Sequence, residues 1–378
     1  MTVIAGARIQ STQGLLESGW MNIEDGVIVS GGLGECPLPV DDELAGYTIV
    51  PGFVDQHCHG GGGYSFITTD AAEAYRAAEA HLFHGTTSLM ASLVTGSAED
   101  LADQIRTLSP LVDQGVIVGI HLEGPWISRL HCGAHDKALL RAPDRSEVGE
   151  LLALGGGRIK MVTIAPELRG GMEAIEQIVS AGAIAAVGHT DADYEMTCLA
   201  VEAGARVATH LTNAMRPLHH RDPGAIGALM EDKRVTVELI GDGTHVHPAV
   251  LRLVAAEAGF NRISMVTDAM SAAAGKDGHY MLGNLDVDVV GGVARLTDGG
   301  SIAGSTLTMD KAMRYMVFSG HVALWNVVKM LSNTPARTLG LADRGGLAIG
   351  KRADLVVLDN ALQVARVMRQ GNWIELPG

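Results

Sequence analysis

Two histidines, His57 and His59, are separated by a single residue in the segment VDQHCHGGGG, which follows a run of apolar residues. If that run is a β-strand, side chains two positions apart share one face, so both imidazoles point the same way and Cys58 points to the other side. Two imidazole nitrogens on one face can bind one divalent cation. Because so short a motif also occurs by chance in solvated loops, the pair alone leaves a metal site and an ordinary loop equally open.

Other ionisable residues stand at or just after the ends of later apolar runs. They are Glu123 in HLEGPW, His189 in VGHT, His210 in THLTNAM, His245 in GDGTH and Asp268 in MVTDAM. Taken singly, each has an ordinary interpretation, since a lone histidine after a strand is more often a hydrogen-bonded core residue than a ligand. Together with the histidine pair they mark six of the eight apolar runs, which favours a shared metal site. Glu123 could bridge two ions through its two oxygens, and Asp268 could be a ligand, a general base or both.

Two further candidates, His135 and Arg221, lie in segments that are expected to be loops. His135, in HCGAHD, could donate a hydrogen bond to a polarised carbonyl oxygen, although a surface histidine is the simpler interpretation of the sequence alone. Arg221, in HHRDPG, and His245 are candidate cations for an anionic substrate. The sequence indicates no role for the thiol of Cys132.

The strand ends must be brought together by the elements between them. Eight short apolar runs alternate with alanine-rich stretches of helical periodicity, and this alternation predicts a parallel sheet covered by helices. Eight such units are typical of a (β/α)8 barrel, the TIM-like form of the α/β class, whose active site lies at the carboxyl ends of the strands. We expect the barrel to span residues 50–344, with a β insertion near 277–300. The β-rich ends, 1–49 and 345–378, predict a small β-sandwich domain formed from both termini.

The overall composition narrows the class of protein. The 378 residues carry a net charge of −15, which argues against nucleic acid as a partner because phosphate binding needs a basic face. Hydrophobic residues make up 47% and charged residues 19%, as in a globular chain with a sizeable core. The four cysteines form no C-x-x-C pair, the first residues lack the features of a signal peptide, and no apolar run is long enough to span a bilayer. We therefore expect a cytoplasmic protein that does not enter a membrane.

The order of these motifs resembles that of one family. The H-x-H pair, HLEGPW, GHT, THLTNAM, DGTH, TDAM and IAGSTLTM (302–309) follow one another as in the N-acetylglucosamine-6-phosphate deacetylases of the amidohydrolase superfamily. The resemblance covers nearly the whole chain. Two of its combinations, HLEGPW followed by an Ala-His pair and THLTNAM followed by Arg-Asp-Pro-Gly, are much more specific than the histidine pair.

The resemblance implies an activity and roles for several residues. The activity is metal-dependent hydrolysis of the acetamide of N-acetyl-D-glucosamine 6-phosphate, which gives D-glucosamine 6-phosphate and acetate. A core metal ion would be bound by Glu123, His189 and His210. Asp268 would act as the general base and acid, and His135 would polarise the acetyl carbonyl.

The same resemblance implies how the substrate is held. Asn213 and Ala214 would meet the sugar phosphate, and His245 would contact the substrate. Arg221 would bind the phosphate of the ligand in the neighbouring subunit, which implies a homodimer.

The number and identity of the metal ions are less constrained. Some members of the family replace the H-x-H pair, whereas this chain keeps His57 and His59, so we expect a second divalent ion with Glu123 bridging the two and Asp268 as a further ligand. Histidine and carboxylate ligands suit zinc, which we expect first, and also iron, manganese or cobalt.

Other functions remain open on the same fold. A related amidohydrolase could act on N-acetylgalactosamine 6-phosphate or open a cyclic amide, and the fold alone does not separate these activities. A metal-binding protein without catalysis is a third interpretation, and the presence of Asp268 disfavours it.

Overall fold

A sheet of eight parallel strands forms the centre of the molecule in the computed structural model, which describes residues 1–10 and 16–377. The strands, called the first to eighth barrel strands, are Phe53–Cys58, Thr86–Leu93, Gly119–Glu123, Ile159–Ile164, Ile184–Val187, Val207–Ala208, Thr236–Ile240 and Ile263–Val266. Each strand pairs in parallel with the next one in the chain, as expected when every strand is followed by a helical crossover. The predicted barrel class is confirmed.

The first and eighth barrel strands meet at the carboxyl end of the sheet. The backbone N–H of Asp268 donates to the carbonyl oxygen of His57 over 2.9 Å, and the N–H of His59 donates to Ala269 over 2.7 Å. Cys58 and Ala269 form a parallel bridge there. The barrel therefore closes at the rim where the predicted ligands lie.

The helices cover the outside of this sheet. Those between the strands and after the eighth strand are Ala71–Leu82, Ala98–Asp113, Arg145–Gly155, Gly171–Ser180, Tyr194–Glu202, Gly224–Glu231, Pro248–Ala258 and Met309–Phe318, followed by Leu324–Val328, the π-helical turn Lys329–Asn333 and Thr334–Thr338. The first begins at Asp70, whose carboxylate accepts from the N–H of Ala72 over 2.8 Å, a standard N-terminal cap. Its buried alanines, Ala74, Ala77 and Ala78, let the helix lie close to the sheet. No helix in the described part of the chain is long and apolar enough to cross a membrane.

Strands from both ends of the chain pair in a second sheet. They are Thr2–Gln10, Leu16–Glu24, Val27–Leu33, Asp42–Glu43, Thr48–Pro51, Leu355–Leu358, Val364–Arg369 and Asn372–Trp373. Thr48–Pro51 joins the two ends, because it pairs parallel to Thr2–Gln10 and antiparallel to Leu355–Leu358. The buried face of this sheet forms its own apolar cluster, which includes Ile4, Ile49 and Leu355. The domain boundaries expected at 49/50 and 344/345 stay a prediction, and residues 11–15 and 378 of the expected small domain lie outside the described residues.

The apolar run YTIVPGFVDQH contains two strands rather than one. Thr48–Pro51 belongs to the terminal sheet and Phe53–Cys58 is the first barrel strand, with Gly52 between them. A Cβ atom at Gly52 would lie 2.2 Å from Oγ1 of Thr87, so only glycine fits at this crossing. Hydropathy alone did not reveal the break, because both strands are buried.

A three-stranded antiparallel sheet follows the eighth barrel strand. It comprises Gly278–Leu282, Leu285–Val290 and Val293–Leu296. Its Leu282, Val287 and Val289 pack in one apolar cluster with Val94 and Ala134, which lie in loops at the carboxyl face of the barrel. This small sheet therefore forms a wall beside the barrel mouth.

Candidate metal centre and active site

Side chains from five barrel strands converge at the carboxyl face. His57 and His59 come from the first strand, Glu123 from the third, and His189, His210 and Asp268 follow the fifth, sixth and eighth strands. All six residues are at most 9% exposed. The six predicted metal ligands are thus brought together.

The Nε2 atoms of the four histidines face one another around the carboxylates. Nε2 of His57 lies 3.1 Å from Nε2 of His59, and Nε2 of His189 lies 3.0 Å from Nε2 of His210. Glu123 Oε1 is 2.9 Å from the His210 Nε2 atom, and Glu123 Oε2 is 3.2 Å from the His59 Nε2 atom. Asp268 Oδ1 is 3.3 Å from the His59 Nε2 atom. Among the described residues, Glu123 is therefore the one carboxylate that faces Nε2 atoms of both histidine pairs.

The opposite ring nitrogens fix the tautomers of three of these histidines. Nδ1 of His57 donates to the carboxylate of Glu238 over 3.2 Å, and Nδ1 of His59 and of His189 donate to backbone carbonyl oxygens over 3.1 and 2.8 Å. Carboxylate and carbonyl oxygens can only accept, so the proton of each neutral ring is on Nδ1 and Nε2 carries a lone pair. The histidines are set up as ligands rather than as donors.

This donor set fits a divalent cation. Two imidazole lone pairs about 3 Å apart repel each other unless a positive charge lies between them, whereas donors sharing one tetrahedral ion at about 2.1 Å stand roughly 3.4 Å apart. Within each of two groups, His57–His59–Glu123–Asp268 and Glu123–His135–His189, the possible ligand atoms lie within 4.8 Å of one another and the residues are buried. The residues present therefore suit a site for divalent metal ions.

His135 has the opposite tautomer from the ligand histidines. Its Nδ1 accepts from the backbone N–H of Thr95 over 3.3 Å and from the Thr95 hydroxyl over 2.8 Å. A backbone N–H can only donate, so Nδ1 must be unprotonated and the proton of the neutral ring is on Nε2. Nε2 is directed into the site, 3.4 Å from Oε2 of Glu123. His135 is therefore built to donate a hydrogen bond at the mouth.

The pKa values of the buried groups follow from burial and neighbouring charge. Burial lowers the pKa of the His189 imidazole to about 4. Burial also opposes charge on His57, but the carboxylates of Glu123 and Asp268 outweigh it and raise that pKa above its usual range. Burial would raise the pKa of Asp268, yet the neighbouring imidazoles of His57 and His59 outweigh it and lower that pKa, so the carboxylate is ionised.

The backbone turns sharply at three of these positions. His189, His210 and Asp268 have φ angles of 48°, 28° and 48°, in the left-handed region that non-glycine residues seldom adopt. Ala214, in the loop after His210, has φ 51°. Each such residue costs roughly 1–2 kcal/mol, and this kind of strain clusters at functional sites. The backbone at these positions is therefore held by contacts with the surrounding structure, because the residues do not favour these φ angles by themselves.

All the predicted metal ligands except the fully buried His57 line an open cleft of about 390 Å³. Asn213, Ala214 and His245, the predicted substrate contacts, line this cleft together with His135. His245 is held by Asp242, whose carboxylate accepts from Nδ1 over 2.6 Å. The volume is within the range of small-molecule sites.

Arg221 does not line the cleft. It lies on the exposed loop after the sixth strand, and its guanidinium contacts Nε2 of His220 at 2.8 Å. Its expected contact with a neighbouring subunit's ligand stays a prediction. Cys132 is buried against Ile127 and Leu140, in the loop that also carries His131 and Gly133 of the cleft.

Several residues that position the site were missed at the sequence level. Glu238, in the seventh strand, contacts His57, and Thr95 sets the tautomer of His135. His131 accepts from His189 through its backbone oxygen, and its ring contacts Asp191 at 2.9 Å. A signal existed only for Glu238, the single charged residue inside the apolar run VTVELI.

Comparisons with known proteins place the chain in a family. The amidohydrolase family model matches residues 48–374. N-acetylgalactosamine-6-phosphate deacetylase of Escherichia coli O157:H7 is 35% identical over 98% of both chains, and N-acetylglucosamine-6-phosphate deacetylase of Bacillus subtilis is 34% identical over 95% of this chain and 93% of its own.

A solved structure agrees closely with the fold. It is that of a mutant N-acetyl-D-glucosamine-6-phosphate deacetylase from Mycobacterium smegmatis in complex with N-acetyl-D-glucosamine 6-phosphate, 48% identical over 98% of both chains with a TM-score of 0.96. The sequence motifs and the barrel agree with these comparisons. The chain belongs to the amidohydrolase family and, within it, to the N-acetylglucosamine-6-phosphate deacetylases.

Proposed function

We propose that this protein hydrolyses the acetamide of N-acetyl-D-glucosamine 6-phosphate to D-glucosamine 6-phosphate and acetate. The observation that carries the proposal is the cleft itself: four Nε2 atoms, two carboxylates and one imidazole N–H donor meet at its floor. The relative from Mycobacterium smegmatis, which is solved with this sugar phosphate bound, supports the choice of substrate.

The proposed cofactor is a pair of divalent ions, with zinc as the first candidate. Glu123, His189 and His210 would hold one ion, and His57, His59 and Asp268 the other, with Glu123 shared because it contacts both histidine pairs. When bound, such ions increase the acidity of water and polarise a carbonyl oxygen. Iron, manganese and cobalt suit the same ligands.

Asp268 is proposed to move the proton during hydrolysis. Its ionised carboxylate would accept a proton from the water that attacks the acetyl carbon, and would give this proton to the nitrogen as the C–N bond breaks. The carboxylate side chain is 12% exposed, so it can be reached from the cleft. One residue thereby serves as base and then as acid.

His135 is proposed to stabilise the negative charge that develops on the acetyl oxygen. The Thr95 contacts leave its Nε2–H free to donate, and a donor that is already fixed in place needs no reorganisation during the reaction. A histidine of the other tautomer could not donate from Nε2.

The remaining contacts would select the phosphorylated sugar. Asn213, Ala214 and His245 line the cleft above the ligands, where they would meet the substrate. Arg221 would bind the phosphate of the ligand in the neighbouring subunit, so the proposed assembly is a homodimer. We also propose that the protein is cytoplasmic and that residues 1–49 and 345–378 form a small β domain.

A substrate panel tests the proposed function. Acetate and free amine would be measured with N-acetylglucosamine 6-phosphate, N-acetylgalactosamine 6-phosphate, unphosphorylated N-acetylglucosamine and a cyclic amide. We expect the highest kcat/KM with the glucosamine compound. A higher kcat/KM with N-acetylgalactosamine 6-phosphate would identify that compound as the preferred substrate instead. Hydrolysis of the cyclic amide alone would reject the proposed function.

A further inference from the structure

Glu238 is a carboxylate with no access to solvent in the middle of the barrel. It alternates along the seventh strand with Val237 and Leu239, which belong to the apolar core outside the sheet, so its side chain lies on the inner face. Its exposed fraction is 0%. Burying an ionised carboxylate costs several kcal/mol unless it is hydrogen-bonded and its charge is balanced.

Three donors surround this carboxylate. Oε1 accepts from Nε2 of Gln56 over 2.8 Å, and Oε2 accepts both from Nδ1 of His57 and from the backbone N–H of His210 over 3.2 Å. Glu238 thus contacts two of the proposed metal ligands, His57 from one histidine pair and His210 from the other. Glu238 itself is too deep to line the cleft.

No lysine or arginine of the described residues forms an ion pair with Glu238. Its only ionisable partner among them is the imidazole of His57. An amide at this position could make the same number of hydrogen bonds without the cost of a buried charge, so the negative charge itself calls for an explanation. A cation on the other side of His57 would balance it.

We propose that Glu238 is a positioning residue that orients His57 and, through its negative charge, strengthens the binding of the divalent ion held by His57. A carboxylate that accepts from the far nitrogen of a ligand imidazole fixes the ring and makes the near nitrogen a better electron donor. The inference rests on the metal site of the proposed function, but not on its substrate.

The variant Glu238→Gln separates charge from shape. Oε1 of Gln56 has no partner, so the Gln56 amide can turn and accept from the new amide group. The single oxygen of the new amide can still accept from His57 and His210, so the number of hydrogen bonds at this position is kept while the negative charge is lost.

The experiment is equilibrium dialysis of the metal-free variant against buffered Zn²⁺ or Co²⁺, followed by elemental analysis. We expect one ion to bind about 10–100-fold more weakly than in the wild-type protein, with an unchanged circular dichroism spectrum. The matched control is Glu167→Gln, since the hydrogen bonds of Glu167 go to Thr190 and Asp191 and not to an imidazole. Its affinities should stay within about threefold of wild type.

A second variant asks whether the effect passes through His57. In a His57→Asn background, Glu238→Gln should weaken binding by no more than about threefold further. If Glu238→Gln weakened metal binding by the same factor of about 10–100 in the His57→Asn background, the inference would be overturned. Wild-type metal affinity in a folded Glu238→Gln protein would overturn it as well. If that protein is insoluble, Glu238→Asp replaces it: the shorter side chain cannot keep the contact with His57, so wild-type affinity there would also overturn the inference. The dialysis experiment uses no substrate and measures only metal affinity. If the protein released no acetate in the substrate panel, the proposed function would be rejected, but the role of Glu238 in metal binding would still be decided by the dialysis.

Discussion

At the scale of single residues, the protonated nitrogen distinguishes the roles of the histidines. His57, His59 and His189 donate from Nδ1 to oxygen and present Nε2 as a lone pair, whereas His135 accepts at Nδ1 and presents an N–H. The same side chain thus serves as a ligand or as a donor according to its second hydrogen bond. Two predictions belong to this scale, one for the proton acceptor and one for the tautomer of His135.

The first concerns Asp268. Asp268→Asn removes the proton acceptor but keeps the shape, so kcat should fall by about 10²–10⁴-fold while KM changes little. Acetate release and metal content would be measured on the same sample, with Asp286→Asn as the control, because Asp286 is exposed on the strand Leu285–Val290 of the three-stranded sheet. A kcat near that of wild type would refute the role given to Asp268.

The second concerns Thr95. Thr95→Val removes the hydroxyl that donates to His135 over 2.8 Å and leaves the longer backbone contact, so kcat should fall roughly 3–10-fold at constant KM. Nitrogen-15 NMR of the ring should show a smaller share of the Nε2–H tautomer. Thr86→Val is the matched control, because the Thr86 hydroxyl is buried without a partner. An unchanged tautomer and kcat would contradict the prediction.

At the scale of elements, the glycine run after His59 has a steric reason. A Cβ atom at Gly60 would lie 2.4 Å from the carbonyl oxygen of Tyr64, so the chain could not pass so close beside His59. Gly63 has open space around it, but its φ of 90° favours glycine. Gly60 is thus needed because the chain passes close to another segment, and Gly63 is needed because the backbone turns there.

The pair Gly60→Ala and Gly63→Ala tests this division. Gly60→Ala must displace the backbone next to a ligand, so we expect a loss of about 1–3 kcal/mol in the free energy of unfolding and a lower kcat. Gly63→Ala should cost about 1–2 kcal/mol through φ alone and leave kcat near wild type. Denaturant unfolding and acetate release measure the two effects, and equal activity of both variants would argue against the steric account.

The sequence predicted the ligands better than the residues that support them. His189, His210 and Asp268 could be found because an ionisable residue after an apolar run stands at a strand end. Thr95 could not, because a threonine in a loop is common and its contact with His135 joins segments 40 residues apart. The break at Gly52 was missed because two buried strands in succession have the hydropathy of one.

At the scale of the whole molecule, the acidic charge makes local cations important. With a net charge of −15, the protein's overall field repels an anionic sugar phosphate. Arg221 is exposed and lies outside the cleft of its own chain, and its role across a subunit interface stays a prediction.

Mixing two inactive variants tests that role. A hybrid dimer of Arg221→Ala with Asp268→Asn has one complete site, made of Asp268 from the first chain and Arg221 from the second. After subunit exchange at equal amounts, activity at low substrate concentration should recover to about a quarter of wild type, because half of the dimers are hybrids. No recovery despite exchange would show that Arg221 does not act across the interface.

The most direct test of the account is acetate release by the metal-free protein. The donor set of Glu123, His189 and His210 is proposed to act only with divalent cations, so removal of metal by a chelator should abolish acetate release from N-acetylglucosamine 6-phosphate. Adding back Zn²⁺, Mn²⁺ or Co²⁺ should restore it in proportion to the metal bound. A protein shown by elemental analysis to be metal-free that still releases acetate at the full rate would contradict the account.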